Sequence, residues 1–156
     1  MINADTTKSI RNILKYSWTP FFSKFGKLTS IQNETIPKIL NGSNVIIVSP
    51  TATGKTEAVI APVAEKVIKT RSEGLSVVYV VPTRALANDS LQRIEGPLAD
   101  MGISISLKHG DKPYLPKKLP NFIITTPESL DSLICRRPEA FSNLNTIILD
   151  EIHLLD

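Results

Sequence analysis

The sequence predicts an α/β fold with a mostly parallel sheet, and a repeated order of segments is the main reason. Four short apolar runs, rich in β-branched residues, have the length of buried strands. They cover residues 45–48, 75–81, 122–126 and 146–149. A turn or loop and then a segment with helical spacing of apolar residues follow each of the first three runs. Strands that alternate with helices in this way are typical of parallel sheets.

Composition limits the class of protein. The chain has 156 residues, of which 42% are hydrophobic and 21% charged, as is ordinary for one globular domain with a reasonable core. No apolar run approaches the ~20 residues of a membrane span, and no secretory signal pattern is present, so we expect a cytoplasmic protein without a membrane partner. The net charge of +3 is compatible with a polyanionic partner but does not require one.

The N-terminal part of the sequence is predicted to be helical. Residues 6–15 predict a short amphipathic helix whose apolar face carries Ile10, Ile13 and Leu14. A second helix is expected to start at a cap on Thr29 or Ser30 and to run through Leu40. We take residues 1–26 as a helical lead-in and residues 27–156 as the domain itself.

The later elements follow from similar patterns. The helix after Arg84 is expected to run towards Ile94, where Gly96-Pro97 interrupts it. Residues 103–107 alternate apolar and polar side chains, which predicts a half-exposed strand near the edge of the sheet. A further helix begins after Thr126, with Pro127 in its first turn. The predicted buried face of that helix carries Leu130, Leu133 and Ile134.

A phosphate-binding loop is indicated between the first strand and its helix. Backbone N–H groups at such a corner point at one spot and bind anions. Gly54 allows a close turn, Lys55 places an ammonium against the β- and γ-phosphates, and Thr56 offers a hydroxyl to Mg²⁺. Ser49 stands where the pattern G-x-x-x-x-G-K-[ST] has its first Gly. Taken alone, the stretch therefore also fits an ordinary strand-loop-helix corner with a surface lysine.

Two acids follow the last strand. In an open parallel sheet, ligands bind beyond the carboxyl ends of the strands, which is where Asp150 and Glu151 are expected. We expect Asp150 to hold the metal through water and Glu151 to polarise the attacking water. The pair alone also fits a solvated helix start. Because a phosphate loop precedes it in the same chain, we interpret the pair as catalytic.

These stretches together resemble the motifs of the superfamily 2 helicases. Four motifs occur in the family's order: motif I at 49–56, motif Ia at 82–87, motif Ib at 125–130 and motif II, in a D-E-x-H form, at 150–153. The residues of these motifs resemble those of the large-helicase-related and RNA-exosome-helper branches more closely than those of the DEAD-box proteins. The resemblance implies a three-layer, RecA-like P-loop NTPase domain that uses ATP and Mg²⁺.

The resemblance also implies a nucleotide site. Gln32 lies where the family reads adenine, and its carboxamide both donates and accepts hydrogen bonds. The alternative for Gln32 is a solvent-facing helix residue. One of Trp18, Phe22 and Phe25 stacks near the adenine, or the aromatics pack the edge of the domain. The expected ATP-binding residues are Gln32, Thr51, Ala52, Thr53, Gly54, Lys55 and Thr56. Thr56 and Asp150 serve Mg²⁺, and Lys55, Asp150 and Glu151 are the catalytic residues.

Single-stranded DNA or RNA is the partner that the resemblance implies. The expected contacts are Thr83, Arg84, Gly110 and Thr126, since helix starts and guanidinium groups hold phosphates. For Arg84, for Thr126 and for the loop that contains Gly110, an alternative without nucleic acid stays open. Arg84 also fits a salt-bridge partner, Thr126 a purely structural helix cap, and the basic loop over 108–120 a solvated segment.

The sequence stops at Asp156, six residues after Asp150. The family continues with motif III and with a second RecA-like domain, a partner that carries the arginine finger. We therefore expect an incomplete domain that lacks a central strand and hydrolyses ATP very slowly or not at all, since the finger contributes roughly 10³ to 10⁵ in rate. The predicted function is the ATP-binding half of an ATP-dependent helicase or translocase, an NTP hydrolase by family. The alternative is a non-catalytic remnant that binds nucleotide or nucleic acid.

Overall fold

The computed structural model of the chain describes residues 4–154 and divides into two compact units, residues 1–70 and residues 71–156. The first unit contains the predicted phosphate loop. The second contains the sheet and the Asp150-Glu151 pair.

Helices form the regular structure described in the first unit. They are α1 (Ala4–Ile13), α2 (Trp18–Phe22), α3 (Ser30–Leu40) and α4 (Lys55–Lys69). The predicted apolar face of the first helix holds for Ile10 and Leu14, which are buried. It is wrong for Ile13, which is 43% exposed.

The start of α3 is fixed by a reciprocal pair of hydrogen bonds. The Thr29 hydroxyl accepts from the Gln32 backbone N–H at 3.4 Å, and Gln32 Oε1 accepts from the Thr29 N–H at 3.0 Å. This capping box satisfies two of the N–H groups that a helix start leaves unpaired. The cap at Thr29 and the end of the helix at Leu40 are as the sequence predicts.

Residues 45–48 were expected to form a strand buried on both faces, and that prediction is wrong. The segment has no regular secondary structure, and Ile46 and Val48 are 84% and 89% exposed. A strand is defined by ladder hydrogen bonds to a neighbour. The segment forms none among residues 4–154, so its apolar side chains remain uncovered.

A buried carboxylate organises the turn between α1 and α2. Glu65 of α4 is fully buried, and its two oxygens accept the backbone N–H groups of Lys15, Tyr16 and Ser17 at 3.0, 2.9 and 2.9 Å. Lys69 Nζ lies 3.1 Å from Glu65 Oε1. Burial alone raises the pKa of Glu65, but these hydrogen bonds outweigh it and hold the pKa below its ordinary value.

The second unit is built on a four-stranded parallel sheet, as the sequence predicts. Its strands are β1 (Val77–Val80), β2 (Ile105–Lys108), β3 (Phe122–Thr125) and β4 (Thr146–Leu149), in the spatial order β2-β3-β1-β4. β2 lies at the edge that its alternating pattern indicated. The last residues of the four strands share one row of the register: Lys108, Thr125, Val80 and Leu149.

Buried side chains of the two central strands, of the segment before β1 and of α6 form a core cluster in this unit. Leu75, Val78, Val80, Ile123 and Leu133 pack as one cluster. Complete burial of a side chain of this size contributes about 1.5–3 kcal/mol.

The outer strand β4 departs from its prediction. Its alternate residues Ile147 and Leu149 are 58% and 55% exposed, although the sequence indicated a buried strand. β4 pairs only with β1 in the described sheet. Ile147 and Leu149 point to the same face of the strand, and this face is left largely uncovered in the described part of the chain.

Two further helices follow strands, α5 (Arg84–Asp100) after β1 and α6 (Pro127–Arg136) after β3. The predicted interruption of α5 at Gly96-Pro97 is wrong, since the helix continues through Pro97 to Asp100. Pro97 removes one backbone N–H donor, which can bend a helix without ending it. The predicted apolar face of α6 holds for Leu133 but not for Ile134, which is 49% exposed. Short 3₁₀ turns lie at Pro138–Phe141 and Ile152–Leu154.

Within the described part of the chain, no helix combines the length and the apolar character that crossing a membrane requires.

The network around Glu65 gives a stability prediction. Glu65→Gln replaces one acceptor oxygen with an NH₂ that faces N–H donors, so we expect a loss of about 2–3 kcal/mol at neutral pH. Because the pKa of Glu65 is lowered on folding, the carboxylate stabilises the fold above the ordinary Glu pKa of 4.5, and this contribution is lost as pH falls below that value. Thermal unfolding by circular dichroism at pH 7 and at acid pH measures both effects.

The matched control is Glu34→Gln, which changes an exposed glutamate of α3. We expect it to leave the unfolding midpoint nearly unchanged at both pH values. Equal shifts for the two variants, or a Glu65→Gln deficit that grows at acid pH, would contradict the assignment.

Candidate functional site

The predicted phosphate loop of the first unit turns through left-handed backbone. Ala52 has φ 59° and Gly54 has φ 83°, a region that favours Gly. Gly54 is also the N-cap of α4 and supplies no side-chain cap, so the N–H groups of the first turn of this 15-residue helix keep their anion-binding capacity.

Side chains within the loop close it on itself. Ser49 Oγ lies 2.7 Å from Thr53 Oγ1, which donates to the Pro50 carbonyl at 2.9 Å. Lys55 Nζ donates to the Ser49 carbonyl at 2.7 Å. The residue that departs from the G-x-x-x-x-G-K-[ST] pattern therefore braces the loop through its hydroxyl.

Gln32 connects helix α3 to this loop. Its Nε2 donates to the Gly54 carbonyl at 3.2 Å, and the residue is only 6% exposed, so the solvent-facing alternative is wrong. A Cβ built on Gly54 would overlap Gln32 Nε2, so the contact requires Gly at this position. Thr29 Oγ1 adds a hydrogen bond to the Thr53 carbonyl at 3.0 Å. One N–H and one lone pair of the Gln32 carboxamide remain for a ligand.

The remaining expected nucleotide residues differ in exposure. Thr51 is exposed, and the Thr56 hydroxyl makes no side-chain hydrogen bond with residues 4–154. Among the aromatics, Trp18 and Phe22 are buried, and their ring centroids lie 5.5 Å apart. Phe25 is 65% exposed, so it is the one of the three with a face free to stack.

In the second unit, Asp150 follows β4 and is held on both carboxylate oxygens. Tyr79 Oη of β1 donates to Oδ2 at 2.6 Å, and the Glu151 N–H donates to Oδ1 at 2.9 Å. The pKa of Tyr79 is raised by burial of the phenol, by its hydrogen bond to Asp150 and by the charge of Asp150. The phenol therefore keeps its proton and stays a donor. Glu151 has φ 48°, and its Oε2 lies 3.5 Å from His153 Nε2.

All four residues expected to contact nucleic acid line one cavity of about 550 Å³ at the carboxyl edge of the sheet: Thr83, Arg84, Gly110 and Thr126. Arg84 Nη1 forms a 2.8 Å ion pair with Asp111 Oδ1. A Cβ on Gly110 would overlap the Arg84 guanidinium, so Gly110 leaves room for that side chain.

The two threonines at this cavity cap helices differently. Thr83 Oγ1 accepts from the Leu86 N–H at 3.2 Å, which is an ordinary N-cap of α5. Thr126 is the N-cap residue of α6, but its side chain makes no cap hydrogen bond. The predicted N-cap at Thr126 is confirmed, and its contact with a phosphate stays a prediction.

Sequence reasoning missed several residues beside these sites. Tyr79 was read only as a strand residue, and Lys108 and Arg136 only as part of a basic loop and of a helix end. The available signal for Lys108 was its place at the end of a predicted strand. No local signal pairs Tyr79 with Asp150, which lies 71 residues further along the chain.

A family described as DEAD/DEAH box helicase matches residues 29–156. The chain belongs to this family.

Proteins similar to the chain are ATP-dependent helicases by name. ATP-dependent helicase Lhr-Core protein 2 of Thermococcus barophilus is 34% identical over 160 residues, which cover 86% of this chain and 18% of that protein. ATP-dependent DNA helicase Hel308 of Methanocella arvoryzae is 32% identical over 126 residues, covering 76% of this chain and 16% of that protein. The chain thus spans about a fifth of the length of these relatives, and the predicted superfamily 2 membership is confirmed.

A solved structure of this family shares the fold. Mycobacterium smegmatis helicase Lhr bound to ssDNA and AMP-PNP superposes with a TM-score of 0.78 at 27% identity, covering 88% of this chain and 20% of that one. The predicted RecA-like α/β class is confirmed.

The Tyr79–Asp150 hydrogen bond in this DEAD/DEAH box helicase domain gives a second stability prediction. Tyr79→Phe keeps the ring and removes the donor, so we expect a loss of about 1.5–3 kcal/mol, because hydrogen bonds to charged groups contribute about this much. Urea unfolding measures the loss. Tyr114→Phe is the control, since Tyr114 is 86% exposed, and we expect no change from it. Indistinguishable unfolding curves for the two variants would contradict the assignment.

Proposed function

We propose that the chain is the ATP-binding half of an ATP-dependent nucleic-acid helicase or translocase. The observation that carries the proposal is the phosphate loop, which presents the first N–H groups of α4 with no side-chain cap behind the left-handed Gly54. Its relatives are ATP-dependent helicases by name. We also propose a second RecA-like domain as the partner of this one.

The residues of the loop fit Mg²⁺–ATP. The α4 amides and the Lys55 ammonium hold phosphate oxygens, and the Thr56 hydroxyl, which has no side-chain partner within residues 4–154, serves the cation. When the Lys55 ammonium binds a phosphate, its hydrogen bond to the Ser49 carbonyl breaks. Gln32 offers its remaining donor and acceptor to the adenine edge, and Phe25 offers an exposed ring. When bound, the nucleotide supplies the phosphoanhydride bond that is hydrolysed.

The acid pair has divided roles. Asp150 is fixed by Tyr79 and by the Glu151 N–H, which suits a carboxylate that orients a hydrated cation. Glu151 keeps its own carboxylate apart from these bonds, near His153, and acts on the attacking water as the proton acceptor.

A single strand of DNA or RNA lies along the carboxyl edge of the second unit. Thr83, Arg84, Gly110 and Thr126 contribute groups that suit its phosphates: a helix start, a guanidinium, an open backbone position and an uncommitted hydroxyl. Arg84 exchanges Asp111 for a phosphate when the strand binds.

Two substitutions test the nucleotide site. Lys55→Ala removes one charge-assisted contact, so we expect ATP affinity to fall about 10- to 100-fold, whereas Glu151→Gln keeps binding and lowers phosphate release. Fluorescent-nucleotide binding with Mg²⁺, and phosphate release with and without RNA or DNA, measure the two effects. The matched controls are Lys38→Ala and Glu95→Gln, both exposed helix positions away from the loop and the acid pair.

Wild-type release is expected to be slow, because no arginine finger is among the site residues proposed for this chain. ATP binding that is insensitive to Lys55→Ala rejects the nucleotide site. Binding that depends on Lys55, together with release insensitive to Glu151→Gln, supports the non-catalytic alternative.

A further inference from the structure

The outer edge of β2 is open over a short stretch. In the described sheet, β2 pairs with β3 alone. The Phe122 N–H of β3 donates to the Ser104 carbonyl. Because alternate residues of a parallel strand face the same neighbour, the N–H and C=O groups of Ile105 and Leu107 point away from β3. These four backbone groups form no hydrogen bond with residues 4–154, and an unpaired strand edge is a template for pairing with another chain.

Both ends of this open stretch are closed by other parts of the chain. Before it, the Ile103 N–H donates to the Leu98 carbonyl at 2.9 Å. After it, His109 and Lys112 exchange backbone hydrogen bonds at 3.2 and 2.9 Å, where the chain turns back on itself. A partner strand at this edge is therefore limited to a short pairing.

The segment that returns after this turn does not cover the edge. If the pairing of His109 with Lys112 continued, Tyr114 would lie opposite Leu107 and Pro116 opposite Ile105. Pro116 has no N–H for that pairing. Tyr114 is 86% exposed and forms no backbone hydrogen bond with β2. The edge thus stays open although a segment of the same chain passes beside it.

A cavity of about 520 Å³ lies beside this edge, which is within the usual size of ligand clefts. It shares no lining residue with the cavity of the candidate nucleic-acid contacts. Most of its lining is apolar, from α5, β2 and the returning segment: Leu91, Leu107, Tyr114, Leu115 and Pro116. The cavity can therefore hold an apolar side chain of a segment that pairs with β2.

Lysines surround this cavity. Lys112 lines it, and Lys117 and Lys118 follow its lining residue Pro116 directly in sequence. All three lysines are exposed and form no ion pair within residues 4–154. Asp111 of the same loop is already in an ion pair. The charge of this surface favours an acidic partner, and it disfavours a second copy of the chain, because two such edges would repel each other.

The backbone groups of the edge distinguish a protein partner from a nucleic acid. Ile105 and Leu107 offer two N–H donors and two C=O acceptors in alternation. An extended peptide backbone matches this alternation, as in strand addition to a sheet edge. Phosphate groups only accept hydrogen bonds, so they would leave the two carbonyls unpaired.

We propose that the open edge of β2 and the apolar cavity beside it bind an extended acidic segment of a partner protein by strand addition. The backbone of the segment pairs with Ile105 and Leu107, one of its apolar side chains enters the cavity, and its acidic side chains face Lys112, Lys117 and Lys118. The inference does not rest on the proposed function, since none of these residues belongs to the nucleotide site or to the candidate nucleic-acid contacts.

The test uses a labelled peptide of sequence Glu-Val-Glu-Leu-Glu-Val-Glu and a control peptide with Lys in place of each Glu. Fluorescence anisotropy measures the affinity, and amide hydrogen exchange followed by NMR locates the contact. We expect the acidic peptide to bind and the basic one not to bind. At saturation, exchange of the Ile105 and Leu107 amides should slow by about tenfold or more, because their N–H groups gain acceptors.

Two variants separate backbone pairing from charge. Ile105→Pro removes an outward N–H without removing a bond to β3, so we expect affinity to fall about tenfold, whereas Ile105→Val keeps the N–H and should bind like wild type. Lys117→Glu should weaken binding several-fold. Lys38→Glu makes the same charge change at an exposed position of α3 and should have little effect.

Circular dichroism checks the folding of each variant. Because Lys117 is exposed, its variant keeps the test valid even if Ile105→Pro does not fold. No binding of the acidic peptide overturns the proposal and leaves the proposed function intact. Binding that neither Ile105→Pro nor Lys117→Glu weakens places the peptide elsewhere and also overturns it.

The remaining outcomes identify another occupant of the edge, and each overturns the assignment to a partner protein. Oligothymidylate that displaces the peptide shows a nucleic-acid surface. Slow exchange of the Ile105 and Leu107 amides without peptide shows an edge that is already covered. The cover is the returning segment if this protection is independent of protein concentration, and a second copy of the chain if the protection increases with concentration.

Discussion

The parallel direction of the four strands is the constraint on which the second unit depends. Lys108, Thr125, Val80 and Leu149 end their strands in one row, and the ladder extends one step further through the Val81 and Asp150 N–H groups. Residues that are far apart in sequence therefore emerge at the same edge. Three of the four residues that follow this row are polar or charged, namely His109, Thr126 and Asp150, and the parallel sheet brings them to one edge.

In the first unit, hydrogen bonds hold a loop rich in small residues in one conformation. Ser49, Thr53 and Lys55 bond to groups of the loop itself, and Gln32 bonds to it from α3. The loop is thereby held while the helix-start amides stay uncapped. Glu65 fixes the turn between α1 and α2 in a similar way, because its carboxylate accepts hydrogen bonds from three backbone N–H groups.

Much of the fold was predictable because short apolar runs and helix caps are local signals. The strands of the sheet, the Thr29 cap and the edge position of β2 followed from such signals. The structure of residues 45–48 and the exposed face of β4 did not follow from such signals. A sequence pattern shows which side chains a strand can bury, and not whether a neighbouring element covers them. The same limit applies to the sites. Motif spacing indicated Lys55 and Asp150, but the partners of Glu65 and Tyr79 come from other elements, and only the folded chain reveals them.

The account's central claim is that the carboxyl edge of the sheet is the surface that binds nucleic acid. Amide ¹H–¹⁵N shifts of the labelled chain, titrated with a single-stranded oligonucleotide, test it most directly. The account predicts that the largest changes fall at Arg84, Gly110 and Ser129, while Ser104 and Asn121 at the amino ends of the strands stay unchanged. Changes concentrated at the amino ends, or spread evenly over the unit, would contradict it.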